Sequence, residues 1–189
     1  MTSAGSVGGD ERLRLFLALE LPPAMLDDLT EWGATNLSGG GRVVPREHLH
    51  VTLAFLGSRP AAEVDSIVRV LRDAVAAGPE PIVLEPTRWR ETRSVGMLVL
   101  ADHDGAATRL AGRCHAGLET LGVYRQEARP WLPHLTLLRF RERPRLEPPL
   151  PGTGTFVPSD AAAYLSTAPD RSPVRGAGTR LADRRRMIR

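Results

Sequence analysis

The stretch HLHVTLAFLG at residues 48–57 returns in outline as WLPHLTLLRF at residues 131–140, and these two segments decide the fold. Each carries His-x-Thr-Leu, once from His50 to Leu53 and once from His134 to Leu137. On an extended strand, residues two apart share a face. His50 and Thr52 therefore project together, while Val51 and Leu53 turn toward a core. His134 and Thr136 repeat that division against Leu135 and Leu137. One such motif arises by chance in on the order of one in a hundred chains of this size, so alone it is weak. Two of them, 84 residues apart in a chain of 189, form a pattern.

Working outward, the elements around the motifs repeat as well. Residues 12–21 alternate apolar and polar side chains and end at Pro22-Pro23, which reads as a strand running into a helix start. Met25, Leu26, Leu29 and Trp32 have helical spacing within 24–37, and the glycines at 39–41 break it. The first motif strand closes at Gly57. A helix is expected over 61–77, where Val64, Ile67, Val68, Leu71 and Val75 make one stripe. Strands follow over 82–90 and 95–101. A third helix is expected over 105–121, with Asp104 as N-cap and Gly122 just past its end. The second motif strand spans 131–140, residues 141–154 read as a loop, and a last strand covers 155–167.

Strand, helix, motif strand thus occurs twice. Diverged duplication is the natural reading: an α+β, bilobal, pseudo-two-fold arrangement with two small antiparallel sheets facing a central cleft and helices outside. We expect a leader over 1–11, one bilobal domain over 12–167, and an Arg/Gly/Pro-rich tail over 168–189, partly disordered with a first half able to fold back.

Composition narrows the function classes. All 25 basic residues are arginine, against 22 acidic ones, for a formal net charge of +3. Arginine forks bind phosphate bidentately and stack on bases, but this charge argues against a long nucleic-acid footprint. No apolar run reaches membrane-span length. The N-terminus lacks the basic and apolar regions of a secretory signal, so a cytoplasmic location is expected. The single cysteine, Cys114, excludes an internal disulfide and reads as a small buried hydrophobe.

If a two-fold relates the halves, two imidazoles and two hydroxyls line one cleft. That set suits phosphodiester cleavage without a metal or other cofactor. One neutral imidazole takes a proton from the nucleophile, and one imidazolium gives a proton to the leaving oxygen. Histidine keeps both forms accessible near neutral pH. The hydroxyls of Thr52 and Thr136 can hold the non-bridging oxygens, where charge must be stabilised.

The chain resembles the 2H phosphoesterase superfamily, and within it the RNA 2′,3′-cyclic phosphodiesterases also called 2′-5′ RNA ligases. The resemblance rests on RLFLALELP at 14–22, VPREHLHVTLAFLG at 44–57 and RPWLPHLTLLR at 129–139, and extends to Ser166. It implies that His50 is the proton donor and His134 the proton acceptor. The implied reaction opens a 2′,3′-cyclic phosphate to a 2′-phosphomonoester. Its implied substrate is an RNA end or a small cyclic nucleotide; the chain itself points to no membrane and no obligate protein partner, and a monomer is expected. The chain departs from that family at Gly176-Ala-Gly-Thr179, where a G-x-x-Y is expected.

Other residues are weaker candidates. Phe16 is a candidate base-stacking residue or a core residue, and Trp131 a nucleotide cover or simple packing. Arg129 and Arg139 flank the second motif as phosphate ligands, although alternation puts Arg139 opposite His134 unless a bulge turns it. His48 shares the face of His50, but His-x-His without carboxylates makes a poor site for a hard metal, and no metal is expected. His103 and His115 read as surface or packing residues. A non-catalytic nucleotide-binding module, 2′-5′ ligation through the same site, and a metallohydrolase are the alternatives.

Overall fold

The computed structural model describes residues 12–78, 80–125, 127–166, 171–173 and 179–180. Strand β1 (Arg12–Glu20) leads into helix α1 (Pro23–Asn36), then a short β2 (Arg42–Val43) and the first motif strand β3 (His50–Pro60). Helix α2 (Val64–Ala76) follows a turn of 3₁₀ helix. Strands β4 (Leu84–Glu91) and β5 (Val95–Asp102), helix α3 (Ala106–Thr120) and the second motif strand β6 (His134–Arg139) complete the second half. Strand β7 (Asp160–Ser166) returns to pair with β1, and β8 (Arg171–Pro173) and β9 (Thr179–Arg180) pair with β7.

All the pairings are antiparallel, in the order β4-β5-β6-β3-β1-β7-β8. The two expected sheets are therefore halves of one. Among the described residues they join through a single pair, Val51 with Leu135, where β3 meets β6. Either side of this joint the order is symmetric, with β6, β5 and β4 answering β3, β1 and β7.

The main core is built on one face of this sheet. Leu17, Leu19, Val51 and Leu53 from one half, with Leu98, Leu100, Leu135 and Leu137 from the other, cluster with Leu29, Ile67, Leu71, Leu110 and Leu118 of the helices. Phe16, Ala18, Met97, Val99 and Ala162 are also buried but stand outside that cluster, on the opposite face. Cys114 is fully buried in α3, and burial pushes its thiol up to about 12. No helix among the described residues is long and apolar enough to cross a membrane.

Several expected boundaries move. The N-terminus of α3 is capped by Asp102, not Asp104: its carboxylate accepts from Ala107 N at 3.2 Å and Thr108 N at 2.7 Å. Gly105, at φ 69°, supplies the left-handed turn between them. Residues 155–159 are not part of the last strand, although Phe156 exchanges both backbone hydrogen bonds with Leu84. The loop over 141–154 has no regular structure. The expected leader, and the tail apart from β8 and β9, lie outside the described residues.

Candidate active site

Each motif opens its strand, and each strand departs from alternation at the same place. Thr52 pairs with Ala18 but Ala54 with Leu17, which leaves Leu53 as an extra residue. Thr136 pairs with Met97 but Leu138 with Gly96, which leaves Leu137 extra. These are matching β-bulges, and a bulge re-aims the side chains that follow it. The burial patterns agree: residues 50–55 and 134–139 both read partly buried, buried, partly buried, buried, buried, exposed. The bulge turns the fifth residue after each histidine, Phe55 and Arg139, back to the face of the histidines.

The result is a pocket of about 120 Å³ lined by both motifs. His50, Thr52 and Phe55 come from one half, and His134, Thr136 and Arg139 from the other, with Phe16, Val44 and His48 completing the wall. The four residues expected to carry the chemistry are brought together, and Arg139 joins them because of the bulge. Phe55 had no place in the sequence reading. Its ring is 52% exposed, and the Arg14 guanidinium stands 5.6 Å from its centroid. Its signal was the doubled apolar pair after each threonine, Leu53-Ala54 and Leu137-Leu138, which interrupts strict alternation.

Both imidazoles are fixed in the same way. Nδ1 of His50 donates to the carbonyl of His48 at 2.7 Å, and Nδ1 of His134 donates to the carbonyl of Leu132 at 2.8 Å. A carbonyl only accepts, so the hydrogen is on Nδ1 and Nε2 is the basic nitrogen of each neutral ring. Phe16 stacks on His50 at 4.8 Å and on Tyr164 at 5.0 Å, forming an aromatic wall behind the ring. The Phe16 ring is only 4% exposed, so Phe55 is the aromatic surface that the cleft offers to solvent. Tyr164 Oη donates to Glu20 at 2.5 Å; burial, and then this carboxylate, push its phenol up.

The backbone of the bulges is also satisfied. The carbonyl of Leu137 accepts from Val44 N at 2.8 Å. Its counterpart, the carbonyl of Leu53, accepts from Nε2 of the buried His115 at 2.9 Å. The indole of Trp131 donates to Thr52 O at 3.0 Å and packs on the core rather than over the pocket. Arg129 is exposed and paired with Glu127 at 2.6 Å. His103 pairs on the surface with Glu85. Among the described residues no three His, Cys, Asp or Glu side chains gather closely enough to hold a metal ion.

A bilobal antiparallel sheet with one His-x-Thr from each half lining a shared pocket is the architecture of a 2H phosphoesterase. Residues 21–153 match the model of the 2′-5′ RNA ligase superfamily, and the chain belongs to that family. It is 28% identical over 159 residues to the RNA 2′,3′-cyclic phosphodiesterase of Escherichia coli strain K12, covering 83% of this chain and 89% of that one. Its fold matches E. coli LigT complexed with NADP⁺, with a TM-score of 0.70, 24% identity, and coverage of 87% of this chain and 96% of that one. A Thermus thermophilus protein, TT0787, matches with a TM-score of 0.64, 24% identity, and 86% and 98% coverage.

Proposed function

We propose that this protein hydrolyses RNA 2′,3′-cyclic phosphate ends to 2′-phosphomonoesters, with His50 as acid and His134 as base. The observation that carries the reading is the matched pair of imidazoles, each held through Nδ1 and each lining one pocket with a threonine beside it. Nε2 of His134 takes a proton as water attacks phosphorus. The P–O3′ bond breaks, and Nε2 of His50 gives its proton to O3′. Thr52, Thr136 and Arg139 donate to the non-bridging oxygens, and Phe55 stacks the terminal base.

The sheet supports that division of roles. The ladder neighbour of His50 is Glu20, with Asp160 beyond it. The neighbour of His134 is Val99. The two histidines therefore differ in their ladder surroundings, acidic for the proposed donor and apolar for the proposed acceptor. With an RNA 5′-hydroxyl in place of water, the same step forms a 2′-5′ linkage, while the abundance of water favours hydrolysis.

The test is incubation of a nucleoside 2′,3′-cyclic phosphate with the protein in EDTA, with the product isomers resolved by chromatography. The reading expects the 2′-phosphate. A 3′-phosphate would reverse the leaving group. Loss of turnover in EDTA, restored by a metal, would overturn the two-histidine mechanism. Tight binding without turnover would favour a nucleotide-binding module.

A further inference from the structure

We propose that the sheet face beyond His134 is a binding track for the backbone phosphates of a single RNA strand whose end occupies the pocket. The inference rests on the hydrolytic reading above and extends it to the body of the substrate.

Cross-strand register carries the argument. On the pocket face, Thr136 neighbours Met97, which neighbours Arg90. His134 neighbours Val99, which neighbours Arg88. Side chains paired across a ladder lie on the same face, and strands are spaced about 4.8 Å apart. Arg88 and Arg90 therefore stand two strands, roughly 10 Å, from the catalytic pair. Met97 and Val99 between them are closed to solvent, whereas both arginines are exposed on the edge strand β4. Neither makes an ion pair among the described residues, unlike Arg46, Arg59, Arg109, Arg129 and Arg143.

The track continues past the edge. Arg88 and Arg90 share a groove with Arg143 and Arg145, with Glu147 also on its wall. Arg145 has φ 58°, a conformation non-glycine residues rarely adopt. It is held there by the buried Glu91, which accepts from Arg145 N at 3.0 Å, Leu146 N at 2.7 Å and Arg143 Nε at 3.0 Å. The arginine-bearing loop is thus fixed in place rather than left to order on binding.

The other half gives the track its direction. The rows there run Thr52, Ala18, Ala162 and His50, Glu20, Asp160. Where one half presents two arginines, its counterpart presents an alanine and an aspartate beside a glutamate. Glu20 and Asp160 disfavour a polyanionic strand along the row through His50, although Arg180 of β9 pairs with Asp160 beyond them, whereas the two rows that end at Arg88 and Arg90 carry no carboxylate.

The experiment compares the native protein, the double variant Arg88→Ala/Arg90→Ala, and Arg69→Ala on the outer helix α2. Each is assayed on a nucleoside 2′,3′-cyclic phosphate and on a pentanucleotide RNA with the same end. In the double variant, kcat/KM for the pentanucleotide should fall roughly tenfold relative to that for the mononucleotide, mainly through KM. Its salt dependence should become shallower by about 0.7 in log–log slope for each phosphate that the protein no longer neutralises. Arg69→Ala should keep the native ratio. An unchanged ratio in the double variant, or equal losses on both substrates, would overturn the track. If the native protein turned over neither substrate, the hydrolytic reading would fail by itself. Fluorescence anisotropy with a labelled pentanucleotide bearing a 2′-phosphate would then decide the track: weaker binding by the double variant supports it, and equal binding overturns it.

Discussion

Val51 and Leu135 form the one backbone pair through which β3 meets β6 among the described residues, and each is the middle residue of its own His-x-Thr. The pseudo-two-fold therefore passes through the centre of the two motifs. Their apolar middle residues turn into the shared core, and the histidines and threonines on either side turn out to the shared pocket. One joint thus fixes both the packing of the halves and the spacing of the two histidines.

The matching bulges turn Arg139 into the pocket wall, where the proposed reaction uses it to hold the phosphate. Arg139→Ala should lower kcat/KM by roughly 10- to 100-fold, the range for a lost charge-assisted hydrogen bond. Arg139→Lys should recover only part of it, because an ammonium cannot form the bidentate fork. Steady-state kinetics on a cyclic nucleotide checks this, and full activity in Arg139→Ala would remove the residue from the site.

His115 holds the first bulge from behind. Replacing it with alanine leaves the buried carbonyl of Leu53 without a donor, at a cost of about 1–3 kcal/mol. The melting temperature should fall by a few degrees or more. Phe55, which follows the bulge, should lose its fixed position, so KM should rise with little change in kcat. Unaltered stability would show that the bond to Leu53 contributes nothing.

Glu91 gives the fold a defined acid sensitivity. Burial works against its charge, but hydrogen bonds from Leu146, Arg143, Trp89 and Arg145 hold its carboxyl below the ordinary value of 4.5. A depressed folded-state pKa contributes stability above the unfolded value, and that contribution is lost as pH falls through the folded one. Urea denaturation should therefore show Glu91→Gln less stable than the native protein at neutral pH, with the gap closing below about 4.5. A gap that did not change with pH would place its cause in packing.

Much of the site was legible in the sequence because strand alternation alone puts His50 with Thr52 and His134 with Thr136. The bulges were harder. Leu53-Ala54 and Leu137-Leu138 are doubled apolar pairs, and only the ladder register shows that one leucine of each pair is extra. This is why alternation does not single out Phe55, and why it brings Arg139 to the face of His134 only if a bulge turns it. His115 lies on a helix, and the carbonyl it serves is 62 residues away, a contact that no local pattern encodes. The join between the half-sheets depends likewise on one long-range pair. The capping carboxylate is that of Asp102 rather than Asp104 because both can cap, and the left-handed Gly105 decides which one reaches the free N–H groups.

The acid–base division predicts a bell-shaped dependence of kcat/KM on pH, with one limb from the imidazole that must be neutral and the other from the one that must be charged. A profile flat from about pH 5 to 9, with chemistry rate-limiting, would contradict it.

The central claim is that His50 and His134 act as a unit, and single and double alanine variants test it most directly. His50→Ala and His134→Ala should each lower kcat by roughly 10²- to 10⁴-fold, and the double variant should be little worse than the poorer single. Losses that simply multiplied in the double variant would mean that the two imidazoles act independently, and the paired mechanism would be wrong.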